Sequence, residues 1–170
     1  GGWTPLQTVE SANPSFLAVH PNRRFLYAIN EIDTYQGLPT GTAEAYAIDE
    51  RSGRLTLVNR QPLSLSGVIP AHLAVSPDGR ALVVALYGGG AYNVLPIGTD
   101  GALGKVSGIE KETGSGPDTE RQESPHPHMV QFDASGARVL ATDLGSDRIN
   151  VFTLADGKLA PIGRTAVQAG

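Results

Sequence analysis

Residues 73–82, LAVSPDGRAL, decide the fold because their pattern occurs three times in the chain. LAVHPNRRFL at 17–26 has the same pattern, and MVQFDASGARVL at 129–140 has it over twelve residues instead of ten. Leu17 and Leu73 lie 56 positions apart, and so do Leu73 and Met129. A fixed period of this length indicates one supersecondary unit repeated along the chain.

Each repeat is predicted to contain four short strands. In the middle repeat, strong turn formers separate the apolar runs 71–76, 81–87, 90–97 and 103–110, and no window keeps helical periodicity for three turns. A repeat of four antiparallel strands is typical of a propeller blade. We therefore predict an all-β protein, a β-propeller, with blades at 14–63, 70–111 and 125–168 and with residues 1–10 as the outer strand of a preceding blade.

The number of blades predicts a partial ring. Propellers close with about four to eight blades, so three alone would leave both flanks of the wedge uncovered. We expect the covering partner to be the remaining blades of the same protein or a second copy. A stand-alone β-sandwich is the alternative, but it does not explain the 56-residue period.

The composition argues for a small-molecule partner. A net charge of −4 over 170 residues favours neither nucleic acid nor a membrane surface, and the absence of cysteine removes disulfides and thiolate chemistry. No apolar run approaches the roughly 20 residues that cross a bilayer, and the first residues lack the pattern of a signal peptide. We therefore expect a cytoplasmic protein.

The candidate functional residues are predicted to share one rim of the blades. Tight hairpin turns fall on one rim, and the long connections 31–41 and 111–127 fall on the other. His20 lies in one of the tight turns and is predicted to be an ordinary surface residue. Long loops on a rigid scaffold usually carry binding sites. Imidazole moves protons near neutral pH, and guanidinium binds carboxylate or phosphate, so this rim predicts a site for an anionic substrate. Its ionisable residues are Glu31, His72, His126, His128, Asp143 and Arg148.

Several of these residues have a structural alternative. His72 is equally consistent with a hydrogen bond to a neighbouring blade. His126 and His128 lie two apart and so on one strand face, but two nitrogen donors without a third ligand do not make a metal site, and we predict neither metal nor cofactor. Asp143 and Arg148 either bind the substrate or form a structural salt bridge.

Five segments together carry a family resemblance: 13–19 (NPSFLAV), 26–31 (LYAINE), 71–79 (AHLAVSPDG), 124–128 (SPHPH) and 143–149 (DLGSDRI). They resemble the lactonase family of seven-bladed propellers, which includes bacterial 6-phosphogluconolactonase and fungal carboxy-cis,cis-muconate cyclase. The resemblance implies a histidine, arginines and a glutamate at the axis. The histidine corresponds to His126 or His128, and an arginine and the glutamate are expected from a following blade.

The resemblance implies that the full-length protein hydrolyses an anionic sugar lactone without a metal, in carbohydrate metabolism. His126 and His128 are the predicted catalytic residues, and the general base is His128 or the glutamate of the following blade. Arg148 and an arginine of that blade hold the anionic group, and His72, Glu31 and Asp143 are further predicted contacts of the substrate. The alternatives are a muconate-type lactonising cycloisomerase and a propeller that only binds a ligand or protein. Paired histidines at the channel mouth favour an enzyme.

Overall fold

The structure, a computed structural model, describes residues 2, 4–65 and 67–168. These residues form twelve strands in three four-stranded antiparallel sheets, and none of them lies in an α-helix. The prediction of an all-β propeller fold built from four-stranded blades is confirmed. None of the described residues forms a helix long and apolar enough to cross a membrane.

In each sheet the four strands follow one another in chain order. The first sheet contains β1 (Pro14–Val19), β2 (Phe25–Asn30), β3 (Thr42–Ile48) and β4 (Leu55–Pro62). The second contains β5 (Pro70–Val75), β6 (Ala81–Leu86), β7 (Ala91–Pro96) and β8 (Gly108–Lys111). The third contains β9 (Pro127–Phe132), β10 (Val139–Asp143), β11 (Arg148–Ala155) and β12 (Lys158–Ala166).

The second sheet is packed on both faces, which explains the continuous apolar run of β6. Successive side chains of a strand point to opposite faces, so such a run suits a strand buried on both sides. Leu82, Val84 and Leu86 join the core shared with the first sheet. Ala81, Val83 and Ala85 join the core shared with the third sheet. Each Val or Leu buried in this way contributes about 1.5–3 kcal/mol.

The first strand of every sheet begins with a proline and a β-bulge. Pro14, Pro70 and Pro127 pair with the last residue of the second strand, and one extra residue then interrupts the ladder. The extra residues are Ser15, Ala71 and His128. A bulged residue lies outside the pairing and re-aims its side chain, so each sheet presents one such side chain where its first strand starts.

The strand pairing corrects the predicted alignment of the third repeat. Leu73 pairs with Val84, and the residue in the matching place of the third sheet is Val130, which pairs with Ala141. The alignment with Met129 is therefore wrong by one residue. The turn between β9 and β10 contains no insertion, because Phe132 pairs with Val139 just as Val75 pairs with Leu82. The extra residue lies in the connection before β9, since Pro127 follows Pro70 by 57 positions and Pro70 follows Pro14 by 56.

The first strands β1, β5 and β9 pack beside one another, and the tight turns link neighbouring sheets. His20 Nε2 lies 3.0 Å from the carbonyl oxygen of Gly79, and its Nδ1 accepts the backbone N–H of Asn22 at 3.1 Å. His20 is half-buried. The prediction of an ordinary surface residue is wrong, because His20 joins a turn of the first sheet to a turn of the second.

Residues 4–10 form no strand within the described residues, and their assignment to a preceding blade stays a prediction. Gly1 and Trp3 lie outside the described residues. The side chain of Gln7 instead replaces a strand partner: its Nε2 donates to the carbonyl oxygen of Leu55 at 3.0 Å, and its Oε1 accepts the Leu55 N–H at 2.8 Å. One side chain thus satisfies both polar backbone groups of an edge residue.

Candidate active site

His126 is held between the second and third sheets. Its side chain is buried, with the residue 7% exposed, and its ring stacks on the ring of Tyr87 with centroids 4.3 Å apart and planes 14° apart. Its Nδ1 lies 3.0 Å from the carbonyl oxygen of Tyr87, and its Nε2 lies 3.2 Å from Oε1 of Glu123. A carbonyl oxygen only accepts, so Nδ1 carries a proton. Both ring nitrogens of His126 are therefore already bonded within the protein.

Asp143 shapes the turn beside His126. Its Oδ1 accepts the backbone N–H of His126 at 2.6 Å and that of Gly145 at 3.0 Å, and its Oδ2 accepts the hydroxyl of Ser146. The residue is only 2% exposed. These bonds give Asp143 a structural role in the turn, and its predicted contact with the substrate stays a prediction.

Gly145 explains why this turn requires a glycine. A Cβ at this position would collide with the carbonyl oxygen of Ser124 and lie 2.7 Å from the backbone nitrogen of His126. The segment 124–126 can therefore approach the turn only over a residue without a side chain. The motif DLGSDR thus has a local physical reason: its carboxylate and its glycine together fix the backbone that leads into β9.

His128 has a different environment from His126. It is the extra residue of the β9 bulge, it is exposed, and its ring is perpendicular to that of Tyr87 with centroids 5.8 Å apart. His126 precedes the strand and stacks flat on Tyr87. The prediction that both histidines share one strand face is wrong, because the bulge interrupts the alternation of side chains.

His72 brings a second imidazole to this region from the second sheet. Its ring contacts that of Phe16, with centroids 3.8 Å apart, and its Nδ1 is buried without a hydrogen-bond partner among the described residues. Burial, and after it the charge of nearby His128, lower the pKa of His72 below its ordinary value of 6.5. His72 is therefore neutral at pH 7. The structure brings His72 and His128 together at the start of two neighbouring inner strands.

Arg148 lies farther out in the third sheet. It begins β11, two strands away from β9, which corresponds to about 10 Å between backbones. Its Nη1 donates to the carbonyl oxygen of Thr113 at 3.1 Å, and no ion pair joins it to Asp143 in the part of the chain that the structure describes. The predicted salt bridge is wrong, and the guanidinium instead holds the long connection between the second and third sheets.

Glu31 directly follows the second strand of the first sheet, which ends at Asn30. Its N–H donates to the carbonyl oxygen of Asn13 at 2.9 Å, and its own carbonyl accepts Nδ2 of Asn13 at 2.6 Å. These bonds fix its backbone, while its side chain is partly exposed. By register, Glu31 occupies in the first sheet the position that Tyr87 occupies in the second.

Tyr87 is the residue that the sequence analysis missed. Its ring contacts both His126 and His128, and its carbonyl bonds His126. The available signal was an aromatic residue directly after the second strand, on the rim where the histidines were expected. No three histidine, aspartate or glutamate side chains of the described residues lie close enough together to hold a metal ion.

The fold and the site define a protein of propeller blades with imidazoles at the start of two adjacent first strands, β5 and β9. The chain belongs to the lactonase family of seven-bladed β-propellers, whose model matches residues 2–170. This membership agrees with the resemblance found in the sequence.

Relatives of known name support this assignment. The 6-phosphogluconolactonase of Bacillus subtilis strain 168 is 34% identical over 166 residues, which is 98% of this chain and 45% of the relative. The solved structure of a candidate 6-phosphogluconolactonase from Bacteroides uniformis matches with a TM-score of 0.85 and 30% identity over 97% of this chain and 47% of that one. The periplasmic gluconolactonase of Pseudomonas aeruginosa, 24% identical with a TM-score of 0.76 over 98% of this chain and 61% of that one, shows the same fold. The chain spans less than half the length of the Bacillus relative.

Proposed function

We propose that the full-length protein hydrolyses an anionic sugar lactone of the 6-phosphogluconolactone type. The observation that carries the proposal is the pair of imidazoles, His72 and His128, at the start of adjacent inner strands. The pair belongs to a chain that is 34% identical to a 6-phosphogluconolactonase. A pair with one neutral member and one exposed member suits a reaction that needs both a hydrogen-bond donor and a base.

His128 is the base in this proposal. Its ring is exposed, and no hydrogen bond to the described residues occupies its nitrogens. It takes a proton from water as the water oxygen forms a bond to the lactone carbonyl carbon, which leaves a negative charge on the former carbonyl oxygen. His126 is unsuited to this step because both of its nitrogens are bonded within the protein.

His72 is the hydrogen-bond donor. A proton on its buried, unpartnered Nδ1 would leave a donor unsatisfied, so the neutral ring carries its proton on Nε2. That N–H stabilises the oxyanion of the tetrahedral intermediate. The bond between the carbonyl carbon and the ring oxygen then breaks, and protonated His128 returns its proton to that oxygen, which gives the open-chain hydroxy acid.

The anionic group of the substrate is held, in this proposal, by cationic residues of the other blades. Arg148 is the cation of the predicted site, but its guanidinium is bonded to the carbonyl oxygen of Thr113. We assign it the role of fixing the connection between β8 and β9. Glu31 stays a candidate contact of the substrate, because its partly exposed side chain follows a strand end equivalent to that of Tyr87.

Steady-state assays of the full-length protein with 6-phosphogluconolactone test the proposal. We expect His128→Asn to lower kcat by about 100-fold or more, the usual contribution of a general base. His20→Asn, which changes a histidine on the opposite rim, is the matched control and should leave kcat unchanged. Turnover of His128→Asn within twofold of wild type, or lactonisation of a muconate in place of hydrolysis, would contradict the proposal.

We propose the cytoplasm as the compartment. A chain without cysteine has no need of an oxidising environment for disulfides. The Pseudomonas gluconolactonase is a periplasmic protein. Under this proposal, it and the present protein work in different compartments. Fractionation of cells that express the full-length protein decides the matter, and recovery in a secreted or periplasmic fraction would overturn it.

A further inference from the structure

We propose that Tyr87 is a positioning residue, whose aromatic ring fixes the imidazole of His128 at the channel mouth. The inference rests on the proposed role of His128 as the base. Tyr87 and His128 come from different sheets, and their rings meet at 90° with centroids 5.8 Å apart. Perpendicular arrangement is one of the favoured geometries of ring pairs, because the edge of one ring faces the electron-rich face of the other.

The Tyr87 ring is itself firmly held. One face stacks on His126, whose nitrogens are bonded to Glu123 and to the Tyr87 carbonyl oxygen. The Tyr87 N–H donates to the carbonyl oxygen of Ile69 at 2.9 Å. A ring fixed by stacking and by its own backbone can serve as a rigid reference for a mobile neighbour.

The His128 ring, in contrast, depends on this contact. No hydrogen bond to another described residue restrains its nitrogens, and its backbone lies in a bulge. The ring contact with Tyr87 therefore restrains the orientation of the His128 imidazole where no hydrogen bond to a described residue does. Catalytic groups need such restraint, because a displacement of about 1 Å is enough to slow a reaction severely.

Tyr87 and His128 both differ in residue type from the equivalent positions of the other two sheets. The bulged positions of the first and second sheets hold Ser15 and Ala71, which have no ring. The position of Tyr87 is occupied by Glu31 in the first sheet and by Leu144 in the third. An aromatic ring and an imidazole thus occur together where the second and third sheets meet, so the fold alone does not require them.

Paired variants of the full-length protein test this role. We expect Tyr87→Phe, which keeps the ring, to retain wild-type kcat and KM. Tyr87→Leu removes the ring and should lower kcat about tenfold with KM unchanged, because the base is misplaced while substrate contacts remain. Tyr35→Leu, a tyrosine of the 31–41 connection, is the matched control. Tyr87→Met, which also lacks a ring, replaces Tyr87→Leu if the leucine variant does not fold.

A second readout does not depend on turnover. NMR titration of the His128 imidazole should give the wild-type chemical shifts and midpoint in Tyr87→Phe and displaced ones in the ringless variant. Unchanged His128 resonances in the ringless variant would overturn the inference, as would equal damage in Tyr87→Phe. If the wild-type protein does not hydrolyse the lactone, the proposed function fails, whereas the titration still decides whether Tyr87 positions His128.

Discussion

Replacing Asp143 with alanine tests whether a buried carboxylate holds the rim of the third sheet. The carboxylate accepts two backbone N–H groups, from His126 and Gly145, and the hydroxyl of Ser146. In the alanine variant the hydroxyl can rotate to another partner, but both N–H groups lose their acceptor. The cavity left by the carboxylate is the place where water would have to enter to replace it.

The expected loss follows from the number and burial of these bonds. A hydrogen bond to a charged group contributes about 1.5–3 kcal/mol, and an unsatisfied buried donor costs about 1–3 kcal/mol. We expect Asp143→Ala to lower the free energy of unfolding by about 4 kcal/mol. Asp143→Asn keeps an oxygen for both N–H groups and loses only the charge, so it should cost about 1–2 kcal/mol.

Urea unfolding at pH 7 measures both losses from the change in midpoint at constant slope. Asp133→Ala is the matched control: this carboxylate also accepts a serine hydroxyl and two backbone N–H groups, but its side chain is 23% exposed. Water can replace it, so we expect a clearly smaller loss than for Asp143→Ala. If Asp143→Ala costs no more than Asp133→Ala, burial of the carboxylate does not stabilise the rim and the reasoning is refuted.

Three further changes test other parts of the structure. Burial would raise the pKa of Glu44, but hydrogen bonds from three side chains outweigh it and hold the pKa below 4.5. Glu44→Gln should therefore lower the free energy of unfolding by about 3 kcal/mol at pH 7. Urea titrations should show the difference between wild type and variant shrinking as the pH falls through the folded-state pKa of Glu44. Arg23 has φ +63°, where the equivalent turns hold Gly79 and Gly136, so Arg23→Gly should raise the unfolding free energy by about 0.5–1 kcal/mol, and a loss would contradict the assigned strain. His20→Ala removes the bond to the Gly79 carbonyl and should lower the unfolding free energy by about 1–2 kcal/mol in urea titrations, whereas an unchanged midpoint would show that this link between sheets does not stabilise the fold.

The blade architecture was predictable because turn formers and apolar runs are local signals. The run at β6 is apolar at every position, as a strand packed on both faces requires, and the glycines at 79 and 136 mark the tight turns. These signals do not depend on distant parts of the chain. The sequence therefore predicts the strands and their order well.

The register of the third inner strand was not predictable in the same way. The third inner strand starts one residue late in the period, because Pro127 follows Pro70 by 57 positions and Pro70 follows Pro14 by 56. One residue reverses the side of the sheet to which the following side chains point, and neither this shift nor the bulge at His128 has a strong composition signal. The alignment accordingly placed Met129 where Val130 lies, and it put His126 and His128 on one face.

Contacts between blades were beyond the reach of local patterns. The bond of His20 joins residues 59 positions apart, and the contact of Tyr87 with His126 spans 39. Arg148 found its acceptor at Thr113, 35 positions away in the long connection, and not at nearby Asp143. Residue type indicated that these side chains could make polar contacts, but the partner depends on how neighbouring sheets pack.

The bulge at the start of every inner strand allows the residue type there to change while the strand pairing stays the same. Because the residue it holds is not part of the ladder, serine, alanine and histidine all occur there within one chain while the strands keep the same pairing. We therefore expect a substitution at Ser15 or Ala71 to change the side chain presented where an inner strand starts while the strand pairing is kept. Such positions let one scaffold be diversified blade by blade, both by natural selection and by directed evolution.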